Sequence, residues 1–245
     1  MSTDALLEVR NATVRFGGIN ALNDVSIDVP GGSITGLIGP NGAGKTTCFN
    51  VITGLQETVS GHITLDGSDV SKLGPHKRAR MGLARTFQRL EVFGSLSARD
   101  NVLVAAEIRA GWSKDKTDPG EIADELLERV GISHVAHDRV DAMPTGLARL
   151  VELARALAAR PRVLLLDEPG SGLDDTESQA FADLLLELAG EGLGVLIVEH
   201  DVELVMRVCA QIYVLDFGEI IANGTPKQIQ ANERVQAAYL GTAPA

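Results

Sequence analysis

Cysteine is scarce: Cys48 and Cys209 are the only two in 245 residues, and they stand far apart in the chain. Such a pair makes no disulfide framework and reads as two reduced, partly buried thiols, which fits the cytosol. Long apolar runs are missing as well. No stretch approaches the roughly 20 residues that a membrane-spanning helix needs. The opening MSTDALLEVR has neither a basic n-region nor an apolar h-region, so any membrane association is expected to go through a partner. Basic residues are outnumbered, 22 against 33 acidic ones, for a formal charge of -11, which opposes bulk binding to nucleic acid or anionic lipid. Neither an internal repeat nor a low-complexity tract is found. What is present is an apolar content of 44%, enough for one large domain or a core with an inserted subdomain.

The pattern along the chain changes twice. LLEVRNATVRF, NDVSIDV, SITGLIG and GHITLDG are strand-like runs separated by Gly, Asn and Asp turns, a β-rich opening. From about Leu96 to Ala159 apolar residues recur at three- and four-residue spacing, in LSARDNVLVAAEIRA, PGEIADELLERVGI and LARLVELARALAAR, which predicts a helical subdomain. Between its first two helices GWSKDKTDPG is a loop. Strands then return: RVLLLDEP and LGVLIVEH flank a helix-like stretch from Thr176 to Ala189, the sign of buried parallel strands in an α/β sheet. QIYVLDFGEIIANG reads as a hairpin, followed by a short helical end. The expected domain plan is therefore a core formed by residues 1–95 and 160–245 with residues 96–159 inserted.

One motif is highly specific. GPNGAGKTT, Gly39 to Thr47, fills the pattern of Gly, four residues, then Gly-Lys-Thr, between the strand ITGLI and the helix KTTCFNVIT. In that setting the backbone of Gly39, Pro40, Asn41, Gly42, Ala43 and Gly44 and the helix start at Lys45, Thr46 and Thr47 converge on phosphates. Lys45 reaches the β/γ oxygens, and Thr46 holds Mg²⁺. VLLLDE ends in two acids. Asp167 suits the metal and Glu168 an attacking water, the division of labour that nucleotide hydrolysis requires. His200, closing VLIVEHD, emerges from the same sheet edge. Gln88 in ARTFQR stands where the β-rich part gives way to helices, and its neutral amide is suited to touching Mg²⁺ or water. Phe16 in VRFGG either stacks on adenine or packs; the sequence leaves both open. GEGLG at Gly190 to Gly194 precedes a strand rather than following one, so it is a loop and no dinucleotide fingerprint.

GPNGAGKTT, TFQ, LLLDEP, SGLD at Ser171 to Asp174 and EHD occur in this order across nearly the whole chain. The chain thereby resembles the nucleotide-binding subunits of ATP-binding cassette (ABC) transporters. VRFGGINALNDVS, RMGLARTFQ, LVMRVCAQIYVLDFGEIIANGTP and VQAAYLG are similar to the subgroup for branched-chain amino acid uptake. The lipopolysaccharide-export ATPase is similar in its C-terminal portion, less so around RFGG and ARTFQ.

The resemblance implies an α/β P-loop NTPase core with an N-terminal antiparallel β region and an inserted α-helical subdomain, the ABC ATPase fold. It implies ATP hydrolysis with Mg²⁺, and a cytoplasmic subunit held peripherally at the membrane by integral permease subunits. An extracytoplasmic solute-binding protein acts indirectly, and no nucleic acid is involved. Two such subunits, in a homodimer or a heterodimer, sandwich two ATP molecules, each site joining one P-loop to the signature segment of the other subunit. That brings Thr145, Gly146 and Asp174 into the nucleotide-binding set. The signature, commonly Leu-Ser-Gly-Gly-Gln, here reads Met143, Pro144, Thr145, Gly146, Leu147. Thr145 is placed either to contact phosphate or to cap the helix that follows. Two other classes remain to compare: a soluble ABC protein of DNA repair or translation, which generally carries a coiled-coil insertion or two cassettes that this chain lacks, and a regulatory module that holds ATP without turnover. Leu90, Val92, Phe93 and Leu96, near Gln88, are the expected lining of a permease-docking groove.

Overall fold

The computed structural model describes residues 5–237. Its strands are β1 (Ala5–Phe16), β2 (Ile19–Pro30), β3 (Ile34–Ile38), β4 (Ser60–Leu65), β5 (Ser68–Asp69), β6 (Leu83–Arg85), β7 (Val163–Asp167), β8 (Gly194–Val198), β9 (Gln211–Asp216) and β10 (Glu219–Gly224). Its α-helices are α1 (Lys45–Thr53), α2 (Pro75–Arg80), α3 (Ala98–Ala110), α4 (Pro119–Arg129), α5 (Thr145–Ala158), α6 (Asp175–Gly190), α7 (Val202–Val208), α8 (Pro226–Gln230) and α9 (Glu233–Val235). The ending VQAAYLG lies partly outside the described residues.

The strands form a four-stranded antiparallel sheet, β2-β1-β4-β5, and a six-stranded sheet, β10-β9-β3-β8-β7-β6. In the larger sheet β9, β3, β8, β7 and β6 run parallel and only β10 is antiparallel, to β9. Side chains alternate faces along a strand, and here each face meets a different core. Leu164 and Leu166 of β7, Val195 and Ile197 of β8, and Ile212 and Val214 of β9 pack with the helices. Their neighbours Val163, Leu165, Leu196, Val198, Tyr213 and Leu215 pack with α1 and the antiparallel sheet. Both faces are covered, so these strands read as continuous apolar runs.

The short elements β5, α2, β6 and α7 escape the sequence reading. α2 and β6 owe their place to distant partners. Arg78 of α2 is buried and donates to the carbonyls of Val51 and Ile52, each at 2.7 Å, and of Leu73 at 2.8 Å. It thus satisfies the Ile52 carbonyl at the end of α1 and gives a second partner to that of Val51, which also accepts from the Gly54 N-H. β6 is three residues long and exists by pairing with β7.

Both cysteines are more deeply buried than the sequence suggested. Cys48 faces the core on α1 and Cys209 lies against β3. Burial pushes both thiols up to about 12, with Arg85 opposing the shift at Cys48. A thiol this far from its thiolate is a poor nucleophile. Neither cysteine is expected to react with a disulfide reagent in the native protein at pH 8, and both are expected to react after unfolding in guanidinium. Rapid labelling of the native protein at either site contradicts this burial.

Candidate functional site: a phosphate loop beside paired acids

The loop from Gly39 to Gly44 is shaped by contacts that only glycine permits. Gly39 has φ +153°, and a Cβ there would sit 1.9 Å from the carbonyl oxygen of Leu215. At Gly44, φ is +111° and the oxygen of Ala21 would lie 2.6 Å from a Cβ. Gly44 is the N-cap of α1 and supplies no side-chain cap, and the first turn carries no acid. Free N-H groups and the positive dipole end therefore face out together, which suits an anion. The Lys45 ammonium turns back to the carbonyls of Gly39 (2.7 Å) and Pro40 (3.0 Å). Burial lowers its pKa, while Glu168 and Asp167 work the other way.

The carboxyl end of β7 faces this loop. Glu168 is in the left-handed region, φ +51°, with its N-H on the Val198 carbonyl at 2.8 Å. A non-glycine residue there costs about 1–3 kcal/mol and is held by its surroundings. Glu168 Oε1 is 2.9 Å from His200 Nε2 and accepts from Gln88 Nε2 at 3.1 Å. Oε2 has no partner among the described residues and is the oxygen free to accept from water. Asp167 sits deeper: its N-H donates to Thr86 Oγ1 at 3.2 Å, and its Oδ2 accepts from Arg85 Nη2 at 2.9 Å.

These groups line one cavity of about 430 Å³, with Asn41, Gly42, Gly44, Lys45, Thr46, Thr47, Gln88, Asp167, Glu168 and His200 on its walls. Gly39, Pro40 and Ala43 do not line it. The first two act through the carbonyls that hold Lys45, and Ala43 is buried with its N-H on Pro40 and its carbonyl on Gly218. Phe16 also stays off the walls, exposed at the β1–β2 turn opposite Ile19. Sequence reasoning missed Ile19, Asn20, Ala21, Val198, Phe217 and Gly218, which complete the lining. Phe217 is 88% exposed in the β9–β10 turn at φ +44°. The available signal was an aromatic residue at a turn position that favours Gly, Asn or Asp. A larger cavity of about 760 Å³, edged by Leu6, Ile122, Leu157 and Leu193, lies at the opposite ends of the parallel strands and holds none of these groups.

The ABC transporter family profile matches residues 22–171. The chain belongs to the ABC transporter family. It is an ATP-binding, ATP-hydrolysing subunit of an ABC transporter. A second profile, described as branched-chain amino acid ATP-binding cassette transporter, matches residues 219–245. The chain is 40% identical over 237 residues to the lipopolysaccharide export system ATP-binding protein LptB of Haemophilus influenzae, covering 97% of this chain and 98% of that one. It is 39% identical over 251 residues to the high-affinity branched-chain amino acid transport ATP-binding protein BraF of Pseudomonas aeruginosa, with the same coverage. A crystal structure of a nucleotide-free ATP-binding cassette from an ABC transporter superposes with a TM-score of 0.86 at 30% identity, over 97% of this chain and 99% of that one.

In this ABC subunit the helical subdomain grips the strip that carries Gln88. Arg149 and Glu152 of α5 are buried and paired at 3.0 Å. Arg149 also donates to the carbonyls of Phe87 (2.6 Å) and Gln88, while Glu152 Oε1 accepts from the N-H groups of Phe87 (3.2 Å) and Glu91 (3.4 Å). Arg155, one turn on, donates to the Glu91 carbonyl and lies over the Phe93 ring at 4.7 Å. Leu90 and Val92 pack into the helical core, whereas Phe93 is exposed; the expected docking lining narrows accordingly.

The start of α5 departs from expectation. Thr145 is its first residue, not its cap; the N-cap is Pro144, which makes no side-chain bond to the helix. Gly146 is buried, with the Gly172 carbonyl 3.0 Å from where its Cβ would be. Its smallness serves a contact inside its own chain. Asp174 caps α6 in a capping box with Glu177, so its carboxylate is engaged at home. Glu152→Ala is expected to lower unfolding free energy by about 3–5 kcal/mol, the cost of stranding a buried partner. A loss below 1 kcal/mol in chemical denaturation contradicts the role given to this pair.

Proposed function

We propose that the protein powers uptake of branched-chain amino acids or related small solutes through a membrane permease. The observation that carries this reading is the branched-chain match over residues 219–245, which lies outside the general family match. The competing reading is lipopolysaccharide export, favoured by the 40% identical relative. In both, the subunit works at the cytoplasmic face; among the described residues no helix is long and apolar enough to cross a membrane. Exposed Phe87 and Phe93, flanking Gln88, are the side chains best placed to meet a permease loop. The test is reconstitution with the cognate permease: ATPase stimulated by a solute-loaded binding protein supports uptake, and stimulation by lipopolysaccharide alone overturns it.

For the chemistry, Thr46, Asp167 and the Gln88 amide oxygen are hard oxygen donors suited to Mg²⁺. No cluster of three or more acidic, histidine or cysteine ligands occurs among the described residues. A cation here would take its remaining ligands from phosphates and water, as Mg²⁺ does. When bound, it supplies charge neutralisation at the β and γ oxygens. Lys45 and the start of α1 bind the phosphates. Glu168 Oε2 takes the proton of the attacking water, with Oε1 held by Gln88 and His200 so that the carboxylate cannot turn away. Glu168→Gln is expected to retain ATP affinity and slow turnover by roughly 10²- to 10⁴-fold. Lys45→Ala is expected to weaken ATP binding itself. Near-normal turnover in the first, or unchanged affinity in the second by equilibrium titration, removes that residue from its role.

The catalytic unit in this reading is a dimer of cassettes, with the start of α5 facing the other subunit's nucleotide. Pro144 offers neither hydroxyl nor N-H, and Leu147 offers no polar contact. What remains is the helix start and the Thr145 hydroxyl. The isolated subunit is therefore expected to dimerise poorly on ATP and to depend on the permease to bring the two halves together. Pro144→Ser with Leu147→Gln is expected to raise ATP-driven dimerisation or basal hydrolysis. Parental behaviour of the double variant in both gel filtration and ATPase assays makes these departures neutral.

A further inference from the structure

Arg85, three residues before Gln88, makes a buried ion pair at the site that the mechanism above does not use. Its side chain is 5% exposed and that of Asp167 is 4% exposed. The guanidinium forks: Nη2 reaches Asp167 Oδ2 at 2.9 Å, and Nη1 reaches Asn50 Oδ1 on α1 at 2.7 Å. Its guanidinium carbon lies over the rings of Phe49 and Phe87, 5.2 and 4.7 Å from their centres. Arginine is suited to this because a rigid fork meets two acceptors at once, which a lysine point charge does not. Asp167 is thus pinned at its N-H by Thr86 and at Oδ2 by Arg85. Oδ1 is left as the oxygen without a hydrogen-bond partner among the described residues.

A carboxylate in this position attracts any divalent cation, with or without nucleotide, unless its charge is offset. We propose that Arg85 is a positioning residue that guards the metal carboxylate: it occupies Oδ2 of Asp167 and cancels its charge, so that a divalent cation is held there only together with nucleotide phosphates. This rests on reading Asp167 as the Mg²⁺ carboxylate. One oxygen remains available and aimed, while the net charge of the pair gives free metal little reason to stay. The fork to Asn50 ties the aim of that oxygen to the helix whose first turn holds the phosphates.

The test uses Mn²⁺ as the probe, followed by electron paramagnetic resonance on the nucleotide-free protein. Arg85→Gln is expected to bind free Mn²⁺ at least about tenfold more tightly than the parent, because a nearby positive charge is gone. Arg85→Lys keeps the charge and is expected to stay close to the parent. Arg85→Met keeps an unbranched apolar stem beside the two rings and replaces the Gln variant if that one fails to fold, as judged by thermal unfolding. Asp167→Asn separates the two claims. If it leaves intact the gain in ATP affinity on adding Mg²⁺, the reading of Asp167 falls and the guard with it. If it abolishes that gain while the Gln and Met variants bind free Mn²⁺ no tighter than the parent, only the role of Arg85 is overturned. A Lys variant that binds free Mn²⁺ as tightly as the Gln variant also overturns it, since charge would then not be the cause.

Discussion

Two buried charges, Arg149 and Glu152, hold the nucleotide cavity to the helical part of the molecule. Each is less than a tenth exposed and they stand 3.0 Å apart. Taking both out of water costs several kcal/mol per ion, which their attraction alone does not reliably repay. The return comes from the main-chain groups they also satisfy, from Phe87 to Glu91. That strip is irregular backbone in a partly buried setting, where unpaired N-H and C=O groups are costly. It carries Gln88, which donates to Glu168. α5 is therefore joined to the proposed catalytic carboxylate by the hydrogen bonds of Arg149 and Glu152 to this strip and by the Gln88 side chain.

The six-stranded sheet explains why the chemistry gathers where it does. Parallel strands end on one edge, and functional groups of open α/β sheets collect beyond their carboxyl ends. β3 delivers Gly39, β7 delivers Asp167 and Glu168, and β8 is followed by Glu199 and His200. Three backbone departures lie at this edge: Gly39 and Gly44 use conformations closed to other residues, and Glu168 is held in the left-handed region. The Glu199 carboxylate reinforces it. Burial raises its pKa, against the N-H groups of Gly170 (2.6 Å) and His200 (3.0 Å) that it accepts. It joins the turn after Glu168 to the turn carrying His200, fixing the spacing of the two side chains that meet at 2.9 Å.

What could be read from the sequence was what is local. The phosphate loop needs one strand, one turn and one helix in immediate succession, and all three are legible in the residues from Ile34 to Thr53. Alternating cores and amphipathic helices follow from periodicity. Arg149 and Glu152 were invisible because helical periodicity assigns charged residues to the wet face; only the strip from Phe87 to Glu91, about 60 residues earlier, turns that face inward. Arg85 is the same case, meaningful only once Asn50 and Asp167 are placed around it. Phe217 and Ile19 were missed because hairpin turns carry no periodicity to show which cavity they border. At Thr145 the capping alternative fails by one residue: threonine favours a cap, but Pro144, its φ held by the ring, takes the N-cap place and Thr145 opens the helix.

Helix starts show where the chain leaves room for anions. α3, α4, α6, α7, α8 and α9 each begin with a side chain that accepts from their own first-turn N-H groups: Ser97, Asp118, Asp174, Asp201, Thr225 and Asn232. Among the described helices of eight or more residues, α1 and α5 alone lack such a cap, and neither has an acid in its first turn. An uncapped start costs about 0.5–2 kcal/mol; α1 has no acid of its own at its positive dipole end, whereas at α5 a Cβ on Gly146 would lie 3.4 Å from the Glu177 carboxylate of the same chain. Random loss of caps would not be expected to select these two. One starts at Lys45, in the phosphate loop. The other starts at Thr145, in the segment that resembles a signature stripped of its usual side chains. With Pro144 and Leu147 unable to hydrogen-bond a phosphate through their side chains, the features of that segment still suited to one are the Thr145 hydroxyl and the backbone N-H groups at the start of α5, and the second needs no particular side chain to persist.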